Sequence, residues 1–408
     1  MLEILFPPEI FVYLKSALKI VWDTAWIWLP IFAWVSLFRM WVSYRRAGYW
    51  SGMGRMLLEI RLPKDVFKSP LAMEVVLGTL HQTADESNWY WKYWRGQTRS
   101  WFSLEMVSIG GEIHFYIWCR PKYRNSIEAH LYSQYPGVEV FEVEDYARNV
   151  VYSPDHWQGF ATQWELSKPD PYPIKTYVDY GLDKDPDEEY KNDPMSSMIE
   201  FLATLPPGNQ VWFQIIIRAH KKEQRKKGTW FQKTDAWIDE ANSERQKILD
   251  KMKEEGRSVA TEGEKNTIAS LERSITKYPF DCGIRSIYLA EKGKYSGVYL
   301  GGMLGSLKQF GSPDHNGFKS QGWSATVNYP WKEWFGKKDF FIRGALDEYK
   351  KREFFFSSYS GKWYYSKSFV LNAEELATIF HLPGQVVATP TVDRVASKKS
   401  EAPSNLPI

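Results

Sequence analysis

The stretch from Trp22 to Tyr44, WDTAWIWLPIFAWVSLFRMWVSY, constrains the rest of the chain most. At ~1.5 Å per residue it is long enough to cross ~30 Å of hydrocarbon. Only Asp23 and Arg39 within it are charged, and both lie near its ends. A backbone in lipid must satisfy its own hydrogen bonds, so the stretch is expected to form one transmembrane helix, with Pro30 a tolerated kink. Trp22, Trp26, Trp28, Trp34 and Trp41 include candidates for aromatic belts at the two interfaces, and Arg39 can snorkel to water. Arg39 near the end of the span and Arg45, Arg46 and Arg55 just after it stand against Lys15 and Lys19 before it. The positive-inside rule then places everything after the anchor in the cytoplasm. A cleaved signal peptide fits less well, because the apolar run starts late, Glu3 and Glu9 precede it, and no small-residue cleavage site follows. Leu2 to Ile20 reads as an amphipathic segment that either lies on the membrane surface or extends the helix.

Residues 55–150 then read as one complete α+β unit. Met56, Leu58, Ile60 and Leu62 alternate with Leu57, Glu59 and Arg61, a period of two that suits a strand. Ser69 is a candidate N-cap for a helix carrying Pro70 in its first turn and Met73, Val76, Leu77 and Leu80 at helical spacing. Trp101–Ile109 and Ile113–Cys119 are strand-like, joined by Gly110-Gly111, a strong hairpin signal. Tyr123–Tyr135 has helical spacing, Pro136-Gly137 stops it, and Val138, Val140 and Val143 form a last strand. The order βαββαβ is that of the ferredoxin-like split unit.

Residues 159–330 repeat the plan. Phe160–Leu166 is a strand, Asp193 caps a helix from Pro194, Val211–Ala219 and Cys282–Ala290 are apolar strands, Gly297–Phe310 is helical, and Trp323–Asn328 is a short final strand. Between the central strands an insertion, 220–278, is dense in charge, with anchors such as Trp237, Ile248, Leu249, Ile268 and Leu271. Gly256 and Gly263 divide it into a helical hairpin. The cluster Lys221–Lys227 can touch phosphate or anionic lipid, or simply start a solvated helix. Residues 331–384 carry strand and helix character, ending in AEELATIFHLPG with Asn372 as N-cap, and 385–408 read as an extended arm.

The chemistry of catalysis is missing from this pattern. With 52 basic and 49 acidic residues there is no global nucleic-acid footprint, though a local patch stays open. GSPDHNGFKS at Gly311–Ser320 has Phe318 where a phosphate-binding loop needs lysine. Asp183, Asp185, Asp187, Glu188 and Glu189 lack the spacing of a calcium loop. The seven histidines show no metal spacing, and Cys119 and Cys282 have no CxxC partner, so reduced core thiols are expected. No cofactor or metal is assigned, and the chain reads as a non-enzyme.

SIGGEIHFYI, the string SQYP, and NAEELATIFHLPG followed by TPTVDRVASKKSEAPSNLP give the chain a family likeness. It resembles a bacterial family of membrane-tethered proteins that carry this region ahead of a TraG/VirD4- or VirB4-like conjugation ATPase. The resemblance implies a structural subunit of a type IV secretion-like machine at the inner membrane, forming a homo-oligomeric collar, with a hexamer the match to such motors. It implies docking of a separate Walker-A ATPase of the HerA/FtsK superfamily through Glu374, Glu375, Leu376, Ala377, His381, Leu382 and Pro383, with Pro403, Leu406 and Pro407 on an arm. The alternative reading is a membrane scaffold or filament subunit that works without an ATPase. The expected fold class is α+β: a transmembrane helix, two ferredoxin-like units and an extended arm.

Overall fold

The computed structural model describes residues 8–63, 68–86, 88–183, 193–222, 224–225, 233–257, 259–322, 337–355, 367–383 and 394–395. The chain divides into two compact units, one made of residues up to Met53 with Glu86–Thr98, the other of the remainder.

The first unit holds α1 (Pro8–Asp23) and α2 (Ala25–Ser51). Thr24 separates them. Its N–H and its hydroxyl both donate to the Ile20 carbonyl, at 3.0 and 2.8 Å, closing off the preceding turn. α2 contains Pro30 and is long and apolar enough to cross a membrane, with a mean hydropathy of 1.4 over its most apolar window. Of that window 6% is buried.

The second unit is built on β1 (Met56–Pro63), α3 (Leu71–Thr79), β2 (Trp101–Ile109), β3 (Glu112–Cys119), α4 (Arg124–Gln134) and β4 (Glu139–Val143). It continues through β5 (Trp157–Leu166), α5 (Pro194–Ala203), β6 (Asn209–Ala219), the small ribbon β7 (Gln224–Arg225) and β8 (Lys233–Thr234), α6 (Ala236–Glu254) and α7 (Glu262–Ile275). β9 (Pro279–Glu291), α8 (Gly297–Gly305), β10 (Phe318–Gly322), α9 (Lys337–Lys351), β11 (Phe369–Asn372), α10 (Ala373–Ile379) and β12 (Arg394–Val395) complete it. The class is α+β with an N-terminal apolar helix.

The strands run β4-β1-β3-β2-β6-β9-β5-β10, each antiparallel to its neighbours. β1 to β4 therefore lie in the same relative order as β5, β6, β9 and β10. The two sets meet where β2 pairs with β6, from Trp101 opposite Arg218 to Ile109 opposite Gln210. The stretches 55–150 and 159–330, each expected to form one unit, contribute to one continuous sheet and one core. The reason is that β2 and β6 are apolar on one face and would otherwise be edges with unpaired backbone. β11 lengthens the sheet beside the start of β9, and β12 runs parallel to the end of β1.

One sheet face is covered by α3, α4, α5, α8 and α10. Leu104, Met106, Phe213, Ile215 and Ile284 meet Met73, Ile127, Leu131, Met198, Met303 and Leu376 in its core. The period of two sends Ser103, Glu105, Trp212 and Gln214 to the other face. There α9 and the turn at Tyr146 cover them: Gln214 Nε2 donates to the Tyr349 carbonyl at 3.1 Å, and the Tyr146 ring stands edge-on to Trp212 at 5.2 Å. Arg352 is fully buried here, bonded to Glu105 at 2.7 and 3.0 Å and to Asp145 at 2.7 and 2.9 Å. Its backbone takes φ 53°, a left-handed value that favours glycine, so the guanidinium contacts hold a strained turn in place.

Several local expectations hold, and one shifts. Gly110 and Gly111 make the β2–β3 turn at φ 60° and 93°, and Asp193 accepts from Met195 N–H at 2.8 Å. Pro70 immediately precedes α3, and the Ser69 hydroxyl accepts from Leu71 N–H at 3.4 Å while donating to the Leu182 carbonyl at 2.8 Å. The inserted hairpin breaks at Gly256, φ 67°, while Gly263 lies inside α7 because the Thr261–Glu264 capping box starts that helix earlier. The last strand of the second half is Phe318–Gly322, and the expected strand at Trp323–Asn328 lies outside the described residues.

Replacing Arg352 by Ala leaves Glu105 charged and buried without its main partner. The expected loss is about 3–5 kcal/mol in denaturant unfolding. Arg245→Ala, which breaks an exposed pair with Glu272 at 3.0 Å, is expected to cost under about 1 kcal/mol.

Candidate functional site

Three groups of residues carry chemistry that a fold alone does not require: the apolar helix α2, α10 with its partners, and an ionic cluster beside the inserted hairpin.

On α2 and the end of α1 the residues expected to meet lipid are exposed. Trp22 is 81% exposed, Trp26 75% and Trp34 71%, with Trp28, Arg39 and Trp41 also exposed. Apolar rings in such number are unfavourable in water and favourable in hydrocarbon and its interface. Arg45 and Arg46 are half-buried. Arg45 stacks over the Trp41 ring at 5.7 Å and its Nε donates to the Trp94 carbonyl at 2.8 Å. Trp22 thus lies at the end of α1 and the other residues expected to meet lipid stand on α2, with Arg45 and Arg46 toward its C-terminal end.

α10 behaves differently from expectation. Asn372 caps it by a capping box, accepting from Glu375 N–H at 2.9 Å while its own N–H donates to Glu375 at 2.8 Å. Glu374, Glu375, Leu376, Ala377, His381, Leu382 and Pro383, expected on a docking surface, are all buried. A short helix inside a core has no free face to offer a partner, so these side chains are corrected from a docking surface to a core element. Pro403, Leu406 and Pro407 lie outside the described residues.

The polar members of α10 find partners inside the fold. Glu374 accepts from Thr176 Oγ1 at 2.6 Å and pairs with Arg273 Nε at 3.1 Å; burial outweighs these partners and raises its pKa. Burial also pushes Glu375 up to about 8, although the Asn372 and Ile174 N–H groups bond to it. Burial opposes a charge on His381, yet Asp193 at 3.0 Å raises its pKa and the Ala377 carbonyl fixes its other nitrogen at 2.9 Å. The pattern EELATIFH legibly predicted a capped helix. It could not show that the facing residues, Thr176, Asp193 and Arg273, lie on other elements.

The third group joins the ends of β6 and β9 to the start of α6. His220 Nδ1 meets Asp281 at 2.5 Å and its Nε2 meets Asp235 at 3.2 Å. Asp235 is also the cap of α6, accepting from Trp237 N–H at 3.1 Å. Arg218 Nε donates to Asp281 at 3.0 Å, and Arg99 lies 3.6 Å from the same carboxylate. Burial opposes the charge on each partner, but their contact lowers the pKa of Asp281 and raises that of His220. This latch was not visible in sequence because its members are spread from Arg99 to Asp281.

Sequence reasoning also passed over WYWKYWRG at Trp89–Gly96, whose alternation of aromatic and basic residues was the available signal. It packs against α2, with Trp41 and Trp94 rings 5.2 Å apart. Among the described residues no group of three or more His, Cys, Asp or Glu is placed to hold a metal ion. The interior holds an apolar cavity of about 10 Å³ between Leu104, Met198, Phe213 and Phe380, at most the size of one water. Cys119 and Cys282 are buried free thiols, both pushed up by burial.

A family model described as a domain of unknown function, DUF8128, matches residues 52–395. No curated protein matches the chain.

His220 has a folded-state pKa above its ordinary 6.5, so its contribution to stability is complete below 6.5 and is lost as pH rises through the folded value. Thermal midpoints of the native chain should therefore fall as pH rises above the ordinary histidine value and through the raised one, while His220→Gln flattens this part of the profile. An unchanged slope in the variant assigns the titration elsewhere.

Proposed function

We propose that this chain, which belongs to the DUF8128 family, is a single-pass assembly subunit of the bacterial inner membrane whose C-terminal body faces the cytoplasm. The observation that carries this reading is α2: an apolar helix of 27 residues, exposed over most of its length, with aromatic residues toward both ends. Orientation rests on Arg39, Arg45, Arg46 and Arg55 on the C-terminal side against Lys15 and Lys19 on the other.

The body is read as two ferredoxin-like units joined edge to edge. The support is that β4-β1-β3-β2 and β10-β5-β9-β6 follow one order, with the helical hairpin α6–α7 inserted in the second. Its role is structural and not enzymatic. The subunit forms a homo-oligomeric collar in a type IV secretion- or conjugation-like machine and works with a separate ATPase of the HerA/FtsK superfamily. That part rests on the resemblance of SIGGEIHFYI and the Asn372–Ile408 region to membrane-tethered conjugation proteins.

The burial of α10 favours a second reading, a membrane scaffold or filament subunit that needs no motor, because it removes the side chains the resemblance assigns to docking.

Deleting residues 1–51 should move the protein from the carbonate-resistant membrane fraction to the soluble fraction while its circular dichroism keeps a folded spectrum. Release of the intact chain by carbonate contradicts the anchor. Detergent pull-downs of the intact chain should recover a Walker-A ATPase under the collar reading, and the chain alone under the scaffold reading.

A further inference from the structure

The segment Glu86–Thr98 groups with the anchor and not with the sheet from which it emerges. It reads ESNWYWKYWRGQT, and Tyr90–Trp94 form a π-helical turn. Contacts along α2 fix it. Phe38 and Tyr93 rings lie 5.7 Å apart, Arg45 Nε reaches the Trp94 carbonyl at 2.8 Å, and Trp50 Nε1 donates to Thr98 Oγ1 at 3.1 Å. Gly96, at φ 71°, comes so close to Arg45 that a Cβ there would stand 2.5 Å from its carbonyl carbon. Only glycine fits that approach.

What the clamp presents outward is apolar and basic together. Trp89 is 63% exposed, Tyr90 43% and Trp94 51%. Arg95 lies 5.8 Å from the Tyr90 and Trp91 ring centres, and Lys92 is 5.9 Å from that of Tyr93. The position along the helix matters. Counted from Ala25 at ~1.5 Å per residue, ~30 Å of hydrocarbon ends near Tyr44. The turn is held between Phe38 and Trp50, so it brackets the exit of the span. At that depth indole and phenol rings find an amphipathic layer, and ammonium or guanidinium groups find lipid phosphate.

We propose that Asn88–Arg95 is a second membrane-contacting element, an interfacial turn that seats Trp89, Tyr90 and Trp94 at headgroup level and sets the exposed Arg95 toward anionic phospholipid, while Lys92 pairs with Glu86 at 3.5 Å. It would fix the depth and rotation of α2 at the point where the chain leaves the bilayer, a job a lone helix does poorly. The proposal rests on the reading of α2 as a membrane span.

Because Cys119 and Cys282 are buried, an introduced surface cysteine can be labelled selectively in the full chain. Trp89→Cys, Tyr90→Cys and Val35→Cys, each carrying an environment-sensitive fluorophore, are reconstituted separately in phosphatidylcholine–phosphatidylglycerol vesicles. Quenchers are spin-labelled lipids bearing the label near the headgroup or deep in the acyl chain, and aqueous iodide. The expected result is deep quenching at Val35, shallow quenching at both Trp89 and Tyr90, and stronger shallow quenching as the anionic fraction rises. Deep quenching at Val35 with iodide alone reaching Trp89 and Tyr90 overturns the proposal and leaves the span intact. Lipid quenching at none of the three removes the span and the proposal together. Loss of signal at Trp89 and Tyr90 only when neighbouring copies are labelled assigns the turn to contacts between protomers and overturns it as well.

Discussion

The backbone ladder between β2 and β6 is the interaction on which the body depends. Each strand would be the exposed edge of its own four-stranded half, with a row of unsatisfied donors and acceptors. Paired, they become the centre of one sheet, and the apolar face they share is continuous from Leu104 and Met106 to Phe213 and Ile215. The polar face at the same seam carries Glu105 and Gln214 into the interior. Those groups need internal partners, which explains why Arg352, far away in sequence, is buried beside them in a left-handed backbone conformation. The strained turn and the ion pair are two sides of one solution.

A similar economy operates around α10. The helix closes the apolar face and ties the halves to the inserted hairpin: Asn372 Nδ2 donates to Ser274 Oγ at 3.0 Å, and Arg273 bonds to both Glu374 and Asp179. The hairpin's base is held a second time by the His220 latch on Asp281 and Asp235. Both helices of the hairpin are thereby fixed to the body, with Trp237, Ala241, Leu271 and Ser274 buried.

The sequence was legible where chemistry is local. The period of two in β1, the Gly110-Gly111 turn, the Asp193 and Asn372 caps and the charged hairpin all follow from neighbouring residues, and so does the apolar stretch of α2. What was not legible is what happens between distant segments. No local pattern distinguishes a helix docked on a partner from one buried at home, because EELATIFH carries charges in both cases; the burial of Glu374 and Glu375 depends on Thr176, Ile174 and Arg273. The joining of two expected units into one sheet depends on complementary edges some hundred residues apart. The turn at Trp89–Arg95 was passed over because its aromatic and basic mixture matches neither helix nor strand period.

The proposed assembly role draws on an apolar helix long enough to cross a membrane and on a continuous sheet with a helical hairpin inserted in its second half. Single-particle images of the full chain extracted into lipid nanodiscs test that account most directly. It predicts closed rings of identical bodies on one side of the disc. Isolated monomers at every protein concentration would contradict it.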